Sequence, residues 1–387
     1  MKQIKLRAVF MRGGTSNAIV FRAQDLPRER ARWDAIFLAA IGSPDPNGRQ
    51  LDGMGGGVSS LSKVCVVGPP SRPDADVDYT FAQVAVADAV VDYSANCGNM
   101  SSAMGPFAVD EGLVPASGDT AVVRIHNTNT NKIIVARFPL DDGLAAVDGE
   151  LALPGVAGPG APIRLEFLDP GGAVTGKLLP TGAAAETLEA LGLGRLTVSL
   201  VDAANPCVFV PAEALGASGT EMPDALSADR DLLDKLEAIR RAASVRMGIA
   251  ATPEQAGRVA SVPKVALVSG PRAAKTLSGG SMAAADMDVT VRMLSMGQPH
   301  RAVPLTGSLC LAVAARIEGS VVNRAARPTA APGDDIRIAQ PSGLTVVAAE
   351  VRDEGGWVAD SAVVYRTARR LMEGAVLVPA SRVSATA

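Results

Sequence analysis

The sequence predicts two similar domains, each mixing strands and helices, over residues 1–185 and 186–387. Three short elements carry that prediction, because they occur twice in the same order. Asn17-Ala-Ile-Val-Phe21 resembles Asn205-Pro-Cys-Val-Phe209. Ser60-Leu-Ser-Lys63-Val-Cys-Val-Val67 resembles Ser261-Val-Pro-Lys264-Val-Ala-Leu-Val268. Cys97-Gly-Asn99 resembles Thr306-Gly-Ser308, and a small-residue helical pattern follows each. Coincidence in an Ala-, Val- and Gly-rich chain explains any one match. A shared order of three points to duplication.

Residues 1–23 read as a hairpin, two apolar runs joined by an Arg-Gly-Gly turn. Asp25-Leu-Pro27 opens a helix, with Pro at an early position. Trp33, Ile36, Phe37, Ala40 and Ile41 form its apolar stripe and Gly42 stops it. Residues 43–62 are rich in Gly, Ser and Pro, and read either as a connector or as an anion cradle. Strands follow at 63–68, 79–86 and 88–93, then a helix from Cys97 to about 112. Residues 120–137 alternate about Asn-Thr-Asn-Thr-Asn and read as a hairpin. In the second half the clearest helix is 228–246, ended by Gly248. Residues 273–285 read as a loop. Ala375–Val378 is the last strand, which the domain plan allows to return to the first domain, and a frayed tail follows Pro379.

Composition narrows the function. The chain has 387 residues and a net charge of −3, so no basic field exists to hold nucleic acid. Aromatics make up 3%, too few for base-stacking surfaces. The opening residues read as a strand rather than a signal peptide, and no apolar run has transmembrane length. The four cysteines, Cys65, Cys97, Cys207 and Cys310, are far apart and make no metal spacing, which fits a reduced, cytoplasmic protein without a metal site. Of the two histidines, His126 lies in an alternating strand pattern and reads as structural.

Cys97 is the most informative residue. It stands where a helix begins, and free N–H groups and the macrodipole there favour negative charge. A thiolate is stabilised in such a place, and a substrate carboxylate is held there equally well. From these residues alone, Cys97 is either that group or a small packing residue.

Met11-Arg-Gly-Gly-Thr-Ser16, Asp52-Gly-Met-Gly-Gly56, Ser59-Ser-Leu-Ser-Lys63 and Cys97-Gly-Asn99 resemble the PrpF family of isomerases over nearly the whole chain. Asp76-Val-Asp-Tyr79, Leu294-Ser-Met-Gly-Gln-Pro-His-Arg301 and Gly319-Ser-Val-Val-Asn323 extend the likeness. The resemblance implies an α+β, diaminopimelate-epimerase-like fold. That fold has two pseudo-symmetric domains, each a mixed sheet wrapped around a central helix, with the active site between them. It implies an enzyme that moves a double bond, or changes its cis/trans geometry, in a small unsaturated di- or tricarboxylate, without cofactor or metal. It places the catalytic lysine on Lys63 and the catalytic cysteine on Cys97. Thr306 stands where the parent epimerases have their second cysteine, which argues against a two-thiol racemase. The family commonly has Lys where this chain has Asn17.

The resulting substrate-binding set is Arg12, Thr15, Ser16, Asn17, Ser60, Ser62, Gly98, Asn99, Met100, Lys264, His300, Thr306, Gly307 and Ser308. Arg301 is a further candidate cation. Burial of Lys63 among Val64, Cys65, Val66 and Val67 is expected to favour its neutral form. Which of Lys63 and Cys97 is acid and which base stays open at this point. Methylaconitate-like acids are the first substrate reading, because Ser43-Pro-Asp-Pro-Asn-Gly48, Met247-Gly-Ile-Ala-Ala-Thr-Pro-Glu-Gln-Ala256 and Leu294-Ser-Met-Gly297 resemble the methylaconitate branch of the family. Oxalomesaconate tautomerisation, epimerisation, and service to an iron–sulfur dehydratase are the alternatives. A homodimer is compatible with the sequence, which does not decide the oligomeric state.

Overall fold

The structure is a computed structural model that describes residues 3–94, 96–328, 331 and 333–383. The chain divides into one unit of residues 1–166 and 365–387 and a second of residues 167–364.

In the first unit, β1 (Gln3–Gly13) and β2 (Ser16–Arg22) form the opening hairpin, with Arg12 opposite Asn17. A parallel neighbour needs a crossover. α1 (Trp33–Ile41) and the loop after it supply one, and β3 (Lys63–Gly68) lies parallel to β2. β4 (Val77–Val84) is antiparallel to β3, and β5 (Val91–Asp92) antiparallel to β4. α2 (Gly98–Asp110) crosses over to β6 (Thr120–Asn127), parallel to β4, and β7 (Lys132–Asp141) pairs back on β6. The C-terminal strand, Ala368–Pro379, runs antiparallel along all of β1.

α2 is buried nearly all round, from Gly98 to Val109, as a helix is when a sheet surrounds it. It touches β1, β2, β3, β6, β7 and the C-terminal strand. The packing is close: a Cβ on Gly105 would stand 2.8 Å from Phe138 and 2.9 Å from Ala136. The other face of the sheet carries a second core, where Phe21 stacks on Phe37 of α1 with centroids 6.0 Å apart.

The second unit repeats this order. β8 (Gly194–Ala203) and β9 (Asn205–Pro211) are antiparallel, and α3 (Arg230–Arg246) leads to β10 (Lys264–Ser269), parallel to β9. β11 (Val289–Ser295) is antiparallel to β10 and carries the short β12 (Gln298–Pro299). α4 (Leu305–Arg316) crosses to β13 (Ile336–Gln340), parallel to β11, and β14 (Gly343–Asp353) closes the series. The sequence of antiparallel and parallel pairings is the same in both units.

Several expectations are revised. The boundary falls at Glu166–Phe167, not at 185–186. Residues 167–185 are tied to β8: the Asp202 carboxylate accepts from the Val174 and Thr175 N–H groups at 2.8 and 2.6 Å, and Gly171 bridges to Ala203. The helix read at Asp25 begins only at Trp33, because Leu26 precedes a proline and is held extended. The loop at 273–285 contains a paired two-residue ladder, and Met282 and Met287 are buried beside Ala339. The last strand starts at Ala368 rather than Ala375, since β1 offers it a full-length partner. After Pro379 a helical turn, Ala380–Val383, buries Val383 in the α1 core.

Phe107, on the buried helix, is 1% exposed. Phe107→Ala is expected to lower the unfolding free energy by about 3–5 kcal/mol, through lost burial plus a cavity the surrounding sheet cannot close. Urea unfolding followed by circular dichroism measures it.

Candidate active site

Cys97 is the N-cap of α2, half-buried, and its side chain caps no backbone N–H. The first helical turn leaves the N–H groups of Gly98, Asn99 and Met100 without intrahelical acceptors. The Gly13-Gly14 turn packs against this end. A Cβ on Gly13 would stand 2.7 Å from the Asn99 carbonyl oxygen, and one on Gly14 2.4 Å from Asn99 Oδ1. Asn99 Nδ2 donates to Thr15 Oγ1 at 3.1 Å. On the other side, Asn96 Oδ1 accepts from Ser101 Oγ and Asn127 Nδ2 at 3.2 and 3.1 Å, fixing the approach to Cys97.

Lys63 opens β3 and is 7% exposed. Its Nζ donates to Gln83 Oε1, directly across on β4, and lies 5.2 Å from the Phe81 ring centroid. Gln83 is itself oriented by donating from Nε2 to the Ser59 and Ser62 carbonyls at 3.0 and 2.9 Å. Cys65 lies within electrostatic reach of both Lys63 and Cys97, and burial pushes its thiol far up, so it stays protonated. The loop before Lys63 is organised by Gln50, 1% exposed and at φ +54. Its Oε1 accepts from Gly57 N and Ser62 Oγ, and its Nε2 donates to Ser43 Oγ. The glycines there serve packing: a Cβ on Gly55 would stand 2.2 Å from Gln50 Oε1. The amides of Gly53, Gly55 and Gly57 are spent inside the loop, so they form no anion cradle.

In the second unit, Lys264 opens β10, and its Cδ is 3.8 Å from where a Cβ on Gly307 would lie, at the start of α4. His300 Nε2 hydrogen-bonds Ser295 Oγ at 2.7 Å. Burial first, and the Lys264 charge second, hold His300 down to about 4. It is therefore neutral at pH 7, which removes it from the candidate cations and leaves it a hydrogen-bonding group. The loop before Lys264 is pinned by Arg240, 1% exposed, which donates to the carbonyls of Ala256, Val259 and Val262 and pairs with Glu237.

The remaining candidates divide. Arg12 Nη1 is committed to the Gly14 and Thr367 carbonyls, both at 3.0 Å. Arg12, Thr15 and Asn17 line a cavity of about 420 Å³ with Arg369, a cavity that neither Lys63 nor Cys97 lines. Ser16 is buried in the hairpin end, and Ser60 is half-exposed in a short 3-10 turn. Met100 is fully buried with its sulfur against Gly13, so only its backbone is offered to a ligand. Ser62 and Ser308 spend their hydroxyls internally, on Gln50 and Val58 and on Leu305. Thr306 is half-buried in the first turn of α4, whose N-cap is Pro304, so this helix starts earlier relative to the matched motif than α2 does. Arg301 makes an exposed ion pair with Asp224. His126 bonds Asp78 and Asn131 on the sheet. Among the described residues, no three His, Cys, Asp or Glu side chains cluster as a metal ion would need, and no helix is long and apolar enough to cross a membrane.

The sequence reading missed Gln83, Gln50 and Arg240. Gln83 had a signal: it follows Tyr79 and Phe81 on the same face of β4, where a third apolar residue is the rule.

Two pseudo-symmetric units, each a mixed sheet around a buried helix, define the diaminopimelate-epimerase-like α+β fold. A hydroxyproline epimerase from Agrobacterium vitis shares that fold at 12% identity and a TM-score of 0.50, over 97% of this chain and 93% of its own. A crystal structure of methylitaconate-delta-isomerase superposes with a TM-score of 0.93 at 41% identity, over 100% and 99% of the two chains. The family profile described as PrpF protein matches residues 3–379, and the chain belongs to the PrpF family. The 3-methylitaconate isomerase of Eubacterium barkeri is 43% identical over 378 residues, 97% of this chain and 98% of its own. The 2-methyl-aconitate isomerase of Shewanella oneidensis is 40% identical over 390 residues, with coverage of 97% and 98%. The 4-oxalomesaconate tautomerase of Pseudomonas putida is 38% identical over 378 residues, with coverage of 98% and 97%. The protein is an isomerase.

His300 yields a stability prediction. Its folded pKa, about 4, lies below the ordinary value of 6.5. The unfolded chain therefore binds the proton first, and stability falls as pH drops from about 6.5 to about 4. Thermal unfolding across that window should show a shallower decline for His300→Gln than for the parent protein.

Proposed function

We propose that this protein moves a double bond, or changes its geometry, in a small unsaturated di- or tricarboxylate of the 2-methylaconitate or methylitaconate kind, by proton transfer through Lys63 and Cys97. The observation that carries the reading is local. A buried lysine and a half-buried thiol both lie within electrostatic reach of the same inert thiol, Cys65, and the second stands at the uncapped N-terminus of a helix. The isomerase names of relatives 38–43% identical over nearly the full chain support it.

A proton on the carbon next to a carboxylate is acidic because its loss leaves an extended enolate. One of the two groups takes that proton. The other returns one at the far end of the allyl unit, so the product is an isomer and no electron is gained or lost. Developing charge on the carboxylate is met by the free N–H groups of the α2 turn. Solvent exchange restores the two side chains. These steps call on no cofactor or metal. Gln83 holds Nζ in place through an amide that is itself held at two carbonyls.

Lys63→Ala and Cys97→Ala are each expected to lower kcat by about 10²–10⁴-fold in a folded protein. Cys65→Ala, Cys207→Ala and Cys310→Ala should cost far less, and equal losses for all four cysteines would point to stability instead. Proton NMR on aconitates, methylaconitate, itaconates and oxalomesaconate identifies the substrate. In deuterated water, label should enter an allylic carbon. Activity lost to a chelator and restored by a divalent metal would overturn the mechanism.

Gln83→Glu places a carboxylate where the amide oxygen meets Nζ and favours the ammonium form. The pH–kcat profile should change shape relative to the parent protein. An unchanged profile would separate Gln83 from the chemistry.

A further inference from the structure

Arg366 is a half-buried cation for which the described residues supply no counter-charge. Its Nε donates to Asn99 Oδ1 at 3.2 Å and its Nη1 to the Tyr365 carbonyl at 2.8 Å, and both acceptors are neutral. Other arginines of the same unit are paired: Arg370 with Glu111 and Glu373, Arg7 with Glu111, Arg22 with Asp25. Among the described residues no carboxylate pairs with Arg366. Enclosure pulls its pKa down to about 10, so the guanidinium is still charged at neutral pH.

Its position compounds the cost. Asn99 belongs to the first turn of α2, the positive end of the helix dipole, which disfavours a cation. The amide orientation is unambiguous, because Arg can only donate and must face Oδ1, while Nδ2 donates to Thr15. Asn99, expected to bind substrate itself, is thus spent on aiming Arg366. A half-buried charge whose partners are all neutral is better satisfied when an anion completes it. Here a guanidinium bonds the side chain of a residue in the same helical turn whose first N–H groups have no intrahelical acceptors, and both features favour an anion. Arg12, the cation drawn from the sequence, has Nη1 tied to two backbone carbonyls instead.

We propose that Arg366 binds a carboxylate group of the substrate against the first turn of α2, beside Cys97, and thereby selects polycarboxylates. This rests on the reading of the protein as a carboxylate isomerase. The probe is tricarballylate, a saturated tricarboxylate that has no double bond to move, so binding is read apart from turnover. Calorimetric titration of the wild type should give binding. Arg366→Met should weaken it by about 30-fold or more, the usual effect of removing one partner of an enclosed charge pair. Arg366→Lys keeps the charge but loses the planar fork, and should fall between the two. In turnover, KM should rise in both variants by more than kcat falls.

A residue that only braced Asn99 would lower the melting temperature and leave the affinity of the folded protein alone. That outcome, or unchanged tricarballylate affinity in a folded Arg366→Met or Arg366→Lys, overturns the proposal. Should Arg366→Met not fold, Arg366→Lys carries the test. A wild type that isomerises the acid panel while the variants bind normally sinks only the Arg366 assignment. A wild type that neither binds tricarballylate nor turns over any acid sinks the functional reading with it.

Discussion

Gly13 and Asn99 come so near each other that a methyl group on the glycine would stand 2.7 Å from the Asn99 carbonyl oxygen. That contact sets the geometry of the site. It lets the hairpin end lie against the uncapped start of a helix that is otherwise sealed inside the sheet. Cys97 is left as N-cap, followed by three N–H groups that have no intrahelical acceptor. Thr15 follows from the same turn and orients Asn99, which orients Arg366. A bulkier residue at either glycine would push the hairpin off the helix, and the whole series of contacts would move with it.

The second unit shows what the scaffold imposes and what it leaves free. Both units place a lysine at the start of the same strand, and both pin the loop before it with one long, buried polar side chain. Gln50 does this through hydroxyls and an amide, Arg240 through three carbonyls. The solutions differ in chemistry but answer one requirement. A parallel strand must be reached by a long connection, and a long connection positions its last residue well only if its backbone is tied down. The surroundings of the lysines then diverge. Lys63 meets an amide and an aromatic face. Lys264 adds its charge to the burial that holds the pKa of a neutral histidine down.

The duplicated order of strands and helices and the glycine turns were legible in the sequence because they depend on local rules, whereas the α+β fold class and the choice of Lys63 came from the resemblance to the PrpF family. Alternation, turn residues and a repeated order can be read without knowing what lies across the sheet. The same reading put the domain boundary too late and stopped the last strand short. Residues 167–185 are held by Asp202, and Arg369 and Arg370 join a strand because β1 is there to pair with them.

The sequence by itself determined the repeated order of strands and helices, the lysine and thiol with chemistry to offer, and a charge balance unsuited to nucleic acid. These follow from residue type and spacing. Tertiary structure alone decided which polar groups remain free to act. Ser62, Ser308 and Asn99 look available in the sequence and are consumed by neighbours far away along the chain or one turn back. Arg366, which the sequence reading did not single out, is half-buried and bonded to the first turn of α2. Whether a donor is spent or free depends on what stands within hydrogen-bonding reach of it, and residues as distant as 99 and 366 meet there only when the sheet closes around α2.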